Sequence, residues 1–168
     1  MVRRLARQRV PLGFACAAVA LALARPSWGS WAIGLPMAIT GELLRVWAAG
    51  HIDKSREITR SGPYRFVRHP LYAGSSLIGL GFVIAAASPV VAAVTVLYLG
   101  VTLVAAIRLE EAALDEKFAG GYAAYRAGRG EPAIRAFRWA RVIGNREYNA
   151  MLGLAVVFLF LAWRIPRP

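Results

Sequence analysis

Five apolar runs, separated by short polar segments, most constrain how this chain can fold. Each is near or somewhat below the ~20 residues that an α-helix needs to cross the hydrocarbon core of a bilayer. The chain is 58% hydrophobic, and its apolar residues are concentrated in these runs instead of recurring at amphipathic spacing. We therefore predict an all-α, polytopic membrane bundle of about five transmembrane helices. The runs are residues 10–24, 31–49, 71–87, 89–107 and 150–163.

The formal net charge of +12 is distributed unevenly between the two sides of such a bundle. Seventeen Lys and Arg residues fall on one side, in the N-terminal tail and in the segments 54–68 and 108–148. The other side has only Arg25, Arg164 and Arg167. The positive-inside rule then places the N-terminus and both basic segments in the cytoplasm, most simply at the inner membrane of a bacterium. The basic residues thus indicate topology, and we predict no nucleic-acid partner.

No repeat or low-complexity linker divides the chain, which predicts one domain over residues 1–168 with a tight helical hairpin at residues 87–89. The first apolar run could also be a secretory signal. Because four more runs follow, we favour an uncleaved first helix. Cys16 lies inside this run and is the only cysteine of the sequence, so no internal disulfide can form. We interpret it as a small buried hydrophobe.

The segment "SGPYRFVRHPLYAG", residues 61–74, is unexpectedly polar for its position before the third run. Pro70 disfavours helix at His69 and suits a first helical turn, so the third helix should begin at Pro70. Its N-terminus would favour an anion at the membrane boundary. Donors and aromatic faces are available from Tyr64, Arg65, Arg68, His69 and Tyr72. The alternative is that these arginines and tyrosines only contact lipid head groups.

A second polar segment, "RLEEAALDEKFAGGYAAYR", follows the fourth run. Its apolar and aromatic residues recur at helical spacing and predict a cytoplasmic helix. They are Leu114, Phe118, Tyr122 and Tyr125. Glu110 and Glu111, at the membrane end, could bind an ammonium group or pair with Arg108 or Arg56. An anion site, carboxylates and aromatic faces together suit a zwitterionic amino acid with a cationic centre and an aromatic base, such as S-adenosylmethionine.

The two segments together resemble the integral-membrane methyltransferases of the isoprenylcysteine carboxyl methyltransferase and phospholipid methyltransferase group, over residues 61–126. The resemblance implies S-adenosylmethionine as cofactor, bound within these residues, and methyl transfer without a metal or a covalent nucleophile. The expected cofactor-binding residues are Tyr64, Arg68, His69, Pro70, Tyr72, Gly74, Glu110, Glu111, Tyr122 and Tyr125. Arg108 matches an arginine assigned to the acceptor side, and we predict catalytic roles for Arg108 and Glu111.

The methyl acceptor is not identified by these motifs. After Arg126 the Val-Pro-Arg…Pro ending that is usual in the isoprenylcysteine carboxyl methyltransferase branch is replaced by "AGRGEPAIRAF". A prenylated cysteine carboxylate, an ethanolamine head group and a small hydrophobic thiol or amine are all compatible acceptors. The expected partners are therefore a lipid-like or prenylated acceptor and the bilayer, with the oligomeric state left open.

Glu42 and Arg45 lie three residues apart within the second run and so share one helix face. Ionisable groups at membrane depth are paired or functional by default. We predict that both bind substrate, the alternative being an intrahelical ion pair. Near the C-terminus, Arg135, Arg138 and Arg141 alternate with apolar residues and predict an amphipathic helix on an anionic membrane surface.

Two other functions fit part of the sequence. NADPH-dependent sterol-type reductases also carry a segment like R-H-P-x-Y-x-G, but downstream they have Arg-Asp…Cys and Lys-Tyr-Gly…Trp patterns. This chain instead has the Glu110–Glu111 pair and "KFAGGYAAY". The other alternative is a non-catalytic membrane protein that keeps the fold.

Overall fold

The computed structural model describes residues 2–52, 59–117 and 135–166, with side chains from residue 13 onward. These ranges form six α-helices and one short 3-10 helix, Gly62–Arg65, and contain no strand. The helices are α1 Val2–Leu23, α2 Trp28–His51, α3 Pro70–Ala86, α4 Pro89–Lys117, α5 Trp139–Gly144 and α6 Tyr148–Arg164. The predicted all-α class is confirmed.

The helix boundaries follow local capping and proline signals. Ser27 caps α2 through a reciprocal pair of hydrogen bonds: its Oγ accepts from the Ser30 N–H at 3.1 Å, and Ser30 Oγ accepts from the Ser27 N–H at 3.0 Å. The start of α3 at Pro70, with His69 as N-cap, is as predicted. Ala87 ends α3 in the left-handed region with φ 46°, and α4 begins at Pro89. The predicted hairpin at residues 87–89 is confirmed.

Helices α2 and α3 pack closely because paired glycines face each other along their contact. A Cβ on Gly41 would lie 2.6 Å from the Gly74 carbonyl oxygen, and one on Gly81 would lie 2.5 Å from the Gly34 oxygen. The two glycines of each helix are seven residues apart, so they repeat on one face after two turns. Small residues that let backbones approach are typical of helix packing in membranes.

The end of the bundle opposite His69 is held by backbone and arginine hydrogen bonds. The Arg25 N–H donates to the Ala86 carbonyl at 2.8 Å. The Arg164 guanidinium donates to the carbonyls of Leu21 and Ala22 at the end of α1. Arg25 and Arg164 therefore lie at the same end of the bundle, as the charge distribution predicts. Small residues dominate the core beneath, which consists of Ala20, Ala24, Ala38, Ala85, Ala86, Val91, Phe158 and Leu161.

Large apolar side chains cover much of the outer surface. Ile33, Leu97 and Leu159 are each more than 60% exposed. Helices α2 and α4 are long and apolar enough to cross a membrane, while Gly13–Leu23, α3 and α6 are shorter apolar helices. In water such a surface would be a liability, whereas lipid chains would solvate it. The chain is a membrane helical bundle, and its division into five spans stays a prediction.

The amphipathic segment before the last helix differs in detail from its prediction. Residues 135–138 belong to no helix, Arg138 has an extended backbone, and helix α5 begins only at Trp139. The cause is docking on α2, because the Arg138 N–H donates to the Gly50 carbonyl at 3.0 Å. Trp139 and Ile143 of α5 are 65% and 63% exposed, which leaves an apolar face available to lipid.

Candidate functional site

The two sequence motifs meet near the C-terminal end of α4. Helix α4 has 29 residues and is about 44 Å long, which exceeds the ~30 Å hydrocarbon core. Residues 108–117 therefore extend past the core toward the level at which α3 begins. There His69 Nε2 lies 3.2 Å from Glu111 Oε1, across 42 residues of sequence. The structure thus joins the first motif to the second at one point.

Tyr72 adds an aromatic face to this pair. The ring centroids of His69 and Tyr72 are 5.7 Å apart, with the planes tilted by 37°. The side chains of His69 and Glu111 are 17% and 25% exposed, so both remain accessible to a ligand. A carboxylate, an imidazole and a phenol ring are therefore within reach of one small molecule at the membrane boundary.

The N-terminus of α3 offers fewer backbone donors than the sequence suggests. Pro70 has no N–H, and the N–H groups of Tyr72 and Ala73 donate to the His69 carbonyl at 3.1 and 3.0 Å. An anion here would be attracted chiefly by the helix dipole and by side chains.

The other residues predicted to bind the cofactor have varied surroundings. Tyr64 is buried in the 3-10 helix, Arg68 is exposed and Glu110 is half-buried. Gly74 is buried against α2, where a Cβ would lie 2.6 Å from Arg45 Cγ. Arg108, predicted to be catalytic, is exposed. Tyr122 and Tyr125 lie outside the described residues.

Glu42 and Arg45 belong to a charged cluster between three helices. Arg45 Nη2 donates to Glu147 Oε2 at 2.7 Å, and Nη1 donates to Ser75 Oγ at 2.6 Å. Arg45 Nε lies 3.6 Å from Glu42 Oε2, an ion-pair distance that is too long for a good hydrogen bond. The predicted Glu42–Arg45 proximity is present, but Glu147 is the stronger partner of Arg45.

Glu147 was missed by the sequence analysis, although a signal for it exists. It is the only acidic residue after position 131, and it lies in a strongly basic segment, three residues before the last apolar run begins. Its side chain is 4% exposed in the structure. Acidic residues at the edge of a membrane span, within a basic segment, singled out Glu110 and Glu111, and the same reasoning applies to Glu147.

Arg45 and Ser75 line one end of an apolar cavity of about 410 Å³. The walls come from α1, α3, α4 and α6, and among the described lining residues Arg45 is the only charged one. The volume falls in the range of small-molecule sites. Prominent apolar and aromatic wall residues are Cys16, Phe82, Tyr98, Leu154 and Phe158.

Comparison with known proteins identifies the family. The family model for phospholipid methyltransferases matches residues 12–120, about two thirds of the chain. This match contains the first motif and Glu111 of the second, and it ends before Tyr122, Tyr125, Glu147 and α6. Neither the curated proteins nor the solved structures include a significant match. The resemblance seen in the sequence is therefore confirmed, and this membrane protein belongs to the phospholipid methyltransferase family, a family of membrane methyltransferases.

Proposed function

We propose that this chain is an S-adenosylmethionine-dependent methyltransferase that acts at the cytoplasmic face of the membrane on a lipid-like acceptor. The observation that carries the proposal is the 3.2 Å contact between His69 and Glu111, which unites the two motifs associated with the methyl donor. Family membership supports the reaction class.

The residues at the start of α3 and the end of α4 suit the methyl donor. Glu111, with Glu110 beside it, would hold the donor's ammonium group. The Tyr72 ring would face the sulfonium cation, since cations favour aromatic faces. His69, held by Glu111, would donate to the donor's carboxylate or ribose. Tyr64, Arg68, Tyr122 and Tyr125 complete the proposed site.

The cavity suits the hydrocarbon part of the acceptor. Its walls are mostly apolar, with Thr95 and Tyr98 adding hydroxyl groups, and Arg45 and Ser75 lie together at one end. Such a distribution fits an amphiphile whose chain lies among the helices and whose polar group contacts the guanidinium. Arg108 would act from the cytoplasmic side of the same acceptor group.

The two sites are consecutive along α3. His69 and Ser75 are six residues apart, or about 9 Å along a helix axis. When bound, the donor supplies an activated methyl group on a sulfonium centre. The protein's task is to align the acceptor with that carbon, to hold both reactants and to exclude water. Helices already fixed by close glycine packing are suitable for this task.

Binding and transfer can be tested on the full chain in lipid nanodiscs. Titration with S-adenosylmethionine should give a saturable response, and titration with NADPH should give none. Vesicles of bacterial lipid extract incubated with methyl-labelled donor should then yield a labelled lipid, identified by mass spectrometry. A saturable response to NADPH alone would favour a reductase and contradict the proposal.

Variants in each motif test the donor site. His69→Ala and Glu110→Ala should each weaken donor affinity by about tenfold or more, the size of one lost charge-assisted contact. Both proteins should still insert and fold, because neither residue belongs to the buried core. Asp115→Asn is a matched control on the exposed part of α4 and should bind like the wild type. Wild-type affinity in both motif variants would refute the site assignment.

A further inference from the structure

We infer that Glu147 is a positioning residue of the acceptor site, because it fixes the Arg45 guanidinium at the polar end of the cavity. The inference rests on the proposed function and extends it to a helix that lies outside the residues matched by the family model. It also gives a specific task to the segment 135–147.

The two terminal nitrogens of the Arg45 guanidinium are held by different helices. Nη1 donates to Ser75 on α3 at 2.6 Å, and Nη2 donates to Glu147 at the start of α6 at 2.7 Å. Two such bonds define the plane of an arginine head group. Glu42 is closer in sequence but lies 3.6 Å from Nε, so it contributes charge without fixing the orientation.

Glu147 reaches this position because the preceding segment docks on the last carbonyls of α2. The Arg138 N–H and Arg141 Nη1 donate to the Gly50 carbonyl at 3.0 and 3.3 Å. Asn145 Nδ2 donates to the Ala49 carbonyl at 3.0 Å. These bonds satisfy carbonyls that a helix end otherwise leaves unpaired. The segment is thereby held against α2, which also carries Arg45.

A turn at Arg146 then directs Glu147 toward the bundle. Arg146 has φ 57°, a left-handed conformation that is unfavourable for a non-glycine residue and that surrounding contacts must maintain. Directly after it, the Glu147 N–H donates to the Val142 carbonyl at 3.2 Å. Val142 is itself buried, with 4% exposure. The turn therefore defines where α6 begins and where its first carboxylate lies.

Glu147 holds the guanidinium from outside the cavity, whereas Arg45 itself lines the cavity. Arg45 lines the cavity and is 20% exposed, whereas Glu147 is 4% exposed and does not line it. Arginine has five N–H donors, and in the described part of the chain two of them are engaged by Ser75 and Glu147. The Nε N–H is buried beside Glu42, so the second N–H groups of Nη1 and Nη2 are left for the polar group of an amphiphile in the cavity.

The test compares Glu147→Gln with Glu116→Gln, which removes the same charge from an exposed position on α4. Methyl transfer is measured at saturating donor while the bacterial lipid extract is diluted with an inert detergent. In Glu147→Gln the half-saturating lipid fraction should rise about tenfold, since a charged hydrogen bond becomes a neutral one. Donor affinity should equal that of the wild type, and Glu116→Gln should change neither quantity.

A second readout does not depend on activity. Phosphatidylethanolamine with a diazirine on its acyl chain is cross-linked to the chain, and the labelled peptides are mapped by mass spectrometry. Labelling of peptides that contain Tyr98 and Leu154 should fall several-fold in Glu147→Gln, in step with the weaker binding. If the wild type methylates no lipid, the proposed function fails and this readout alone decides the inference.

Two results would overturn the inference. Unchanged half-saturation and unchanged labelling in Glu147→Gln would show that Arg45 needs no such partner. A parallel loss of donor affinity and acceptor affinity would show that Glu147 only maintains the fold. Should Glu147→Gln fail to fold, Ser75→Ala removes the other contact of Arg45 without leaving an unpaired charge, and it must then weaken acceptor binding alone.

Discussion

At the residue scale, the contact between His69 and Glu111 converts two separate motifs into one candidate site. Each side chain alone has an ordinary explanation, His69 as a helix cap and Glu111 as an interfacial acid. Their 3.2 Å separation places a carboxylate, an imidazole and the adjacent Tyr72 ring around a common point. This combination is what a small zwitterionic cation requires.

Gly74 is the residue at which motif and geometry give different predictions. The motif assigns it to the cofactor, whereas the structure packs it against Gly41 and Arg45. In Gly74→Ala the new Cβ would lie 2.6 Å from both the Gly41 carbonyl oxygen and Arg45 Cγ. We expect a loss of stability of about 1–3 kcal/mol from overpacking, together with displacement of Arg45.

Two measurements separate these interpretations of Gly74. Unfolding in mixed micelles gives the stability, and titration of the folded protein gives donor affinity. We expect lower stability, weaker acceptor binding and unchanged donor affinity in Gly74→Ala. A selective loss of donor affinity at full stability would instead support the motif's assignment.

At the element scale, local signals were enough to find the helices but not their partners. Pro70, Pro89 and Ser27 mark helix starts through backbone restrictions and capping, which act within a few residues, and their effects could be predicted. The match of Gly34 with Gly81 and of Gly41 with Gly74 depends on the register of two antiparallel helices. Hydropathy does not specify that register, so the contact could not be predicted from one helix alone.

The same limit applies to Arg45. Its spacing from Glu42 could be read within one helix, whereas its hydrogen-bond partner Glu147 is 102 residues away. The non-helical backbone at residues 135–138 has a similar cause, since it depends on the Gly50 carbonyl and not on the helical spacing of the arginines. The part of the site that lies within one helix was thus predictable, whereas its contacts between distant segments were not.

Gly41→Leu tests whether the close α2–α3 contact holds the bundle together. A Cβ there would lie 2.6 Å from the Gly74 carbonyl oxygen and 2.8 Å from the Ile78 nitrogen, so backbone must move. We expect destabilisation of about 3 kcal/mol or more, with loss of donor binding as the start of α3 shifts. Gly100→Leu is the control, because a Cβ at Gly100 has no neighbour within 4 Å. Equal unfolding midpoints for the two variants would contradict this view.

At the scale of the whole molecule, the candidate polar sites are concentrated toward one end of the bundle. His69, Glu111 and the docked segment 135–147 lie at the end that the basic residues assign to the cytoplasm. Ala24, Ala86 and Leu161 form the opposite, tightly packed end. The cavity lies between them and is bounded by α6, which contributes Ala150, Gly153 and Leu154 to its wall. An acceptor in this cavity would have its chain toward the end formed by Ala24, Ala86 and Leu161, and its polar group toward Arg45.

Gly153 offers a way to shorten that cavity without touching either polar site. It lines the cavity, and a Cβ built on it has no neighbour within 4 Å. The aromatic side chain of Gly153→Phe should therefore occupy space that the acceptor chain would use, at little cost in folding stability. Using the lipid extract as acceptor, we expect methyl transfer to fall at least tenfold while donor affinity stays unchanged.

Gly100→Phe adds the same side chain outside the cavity and should retain wild-type rates. Wild-type transfer by Gly153→Phe would show that the acceptor approaches by another route.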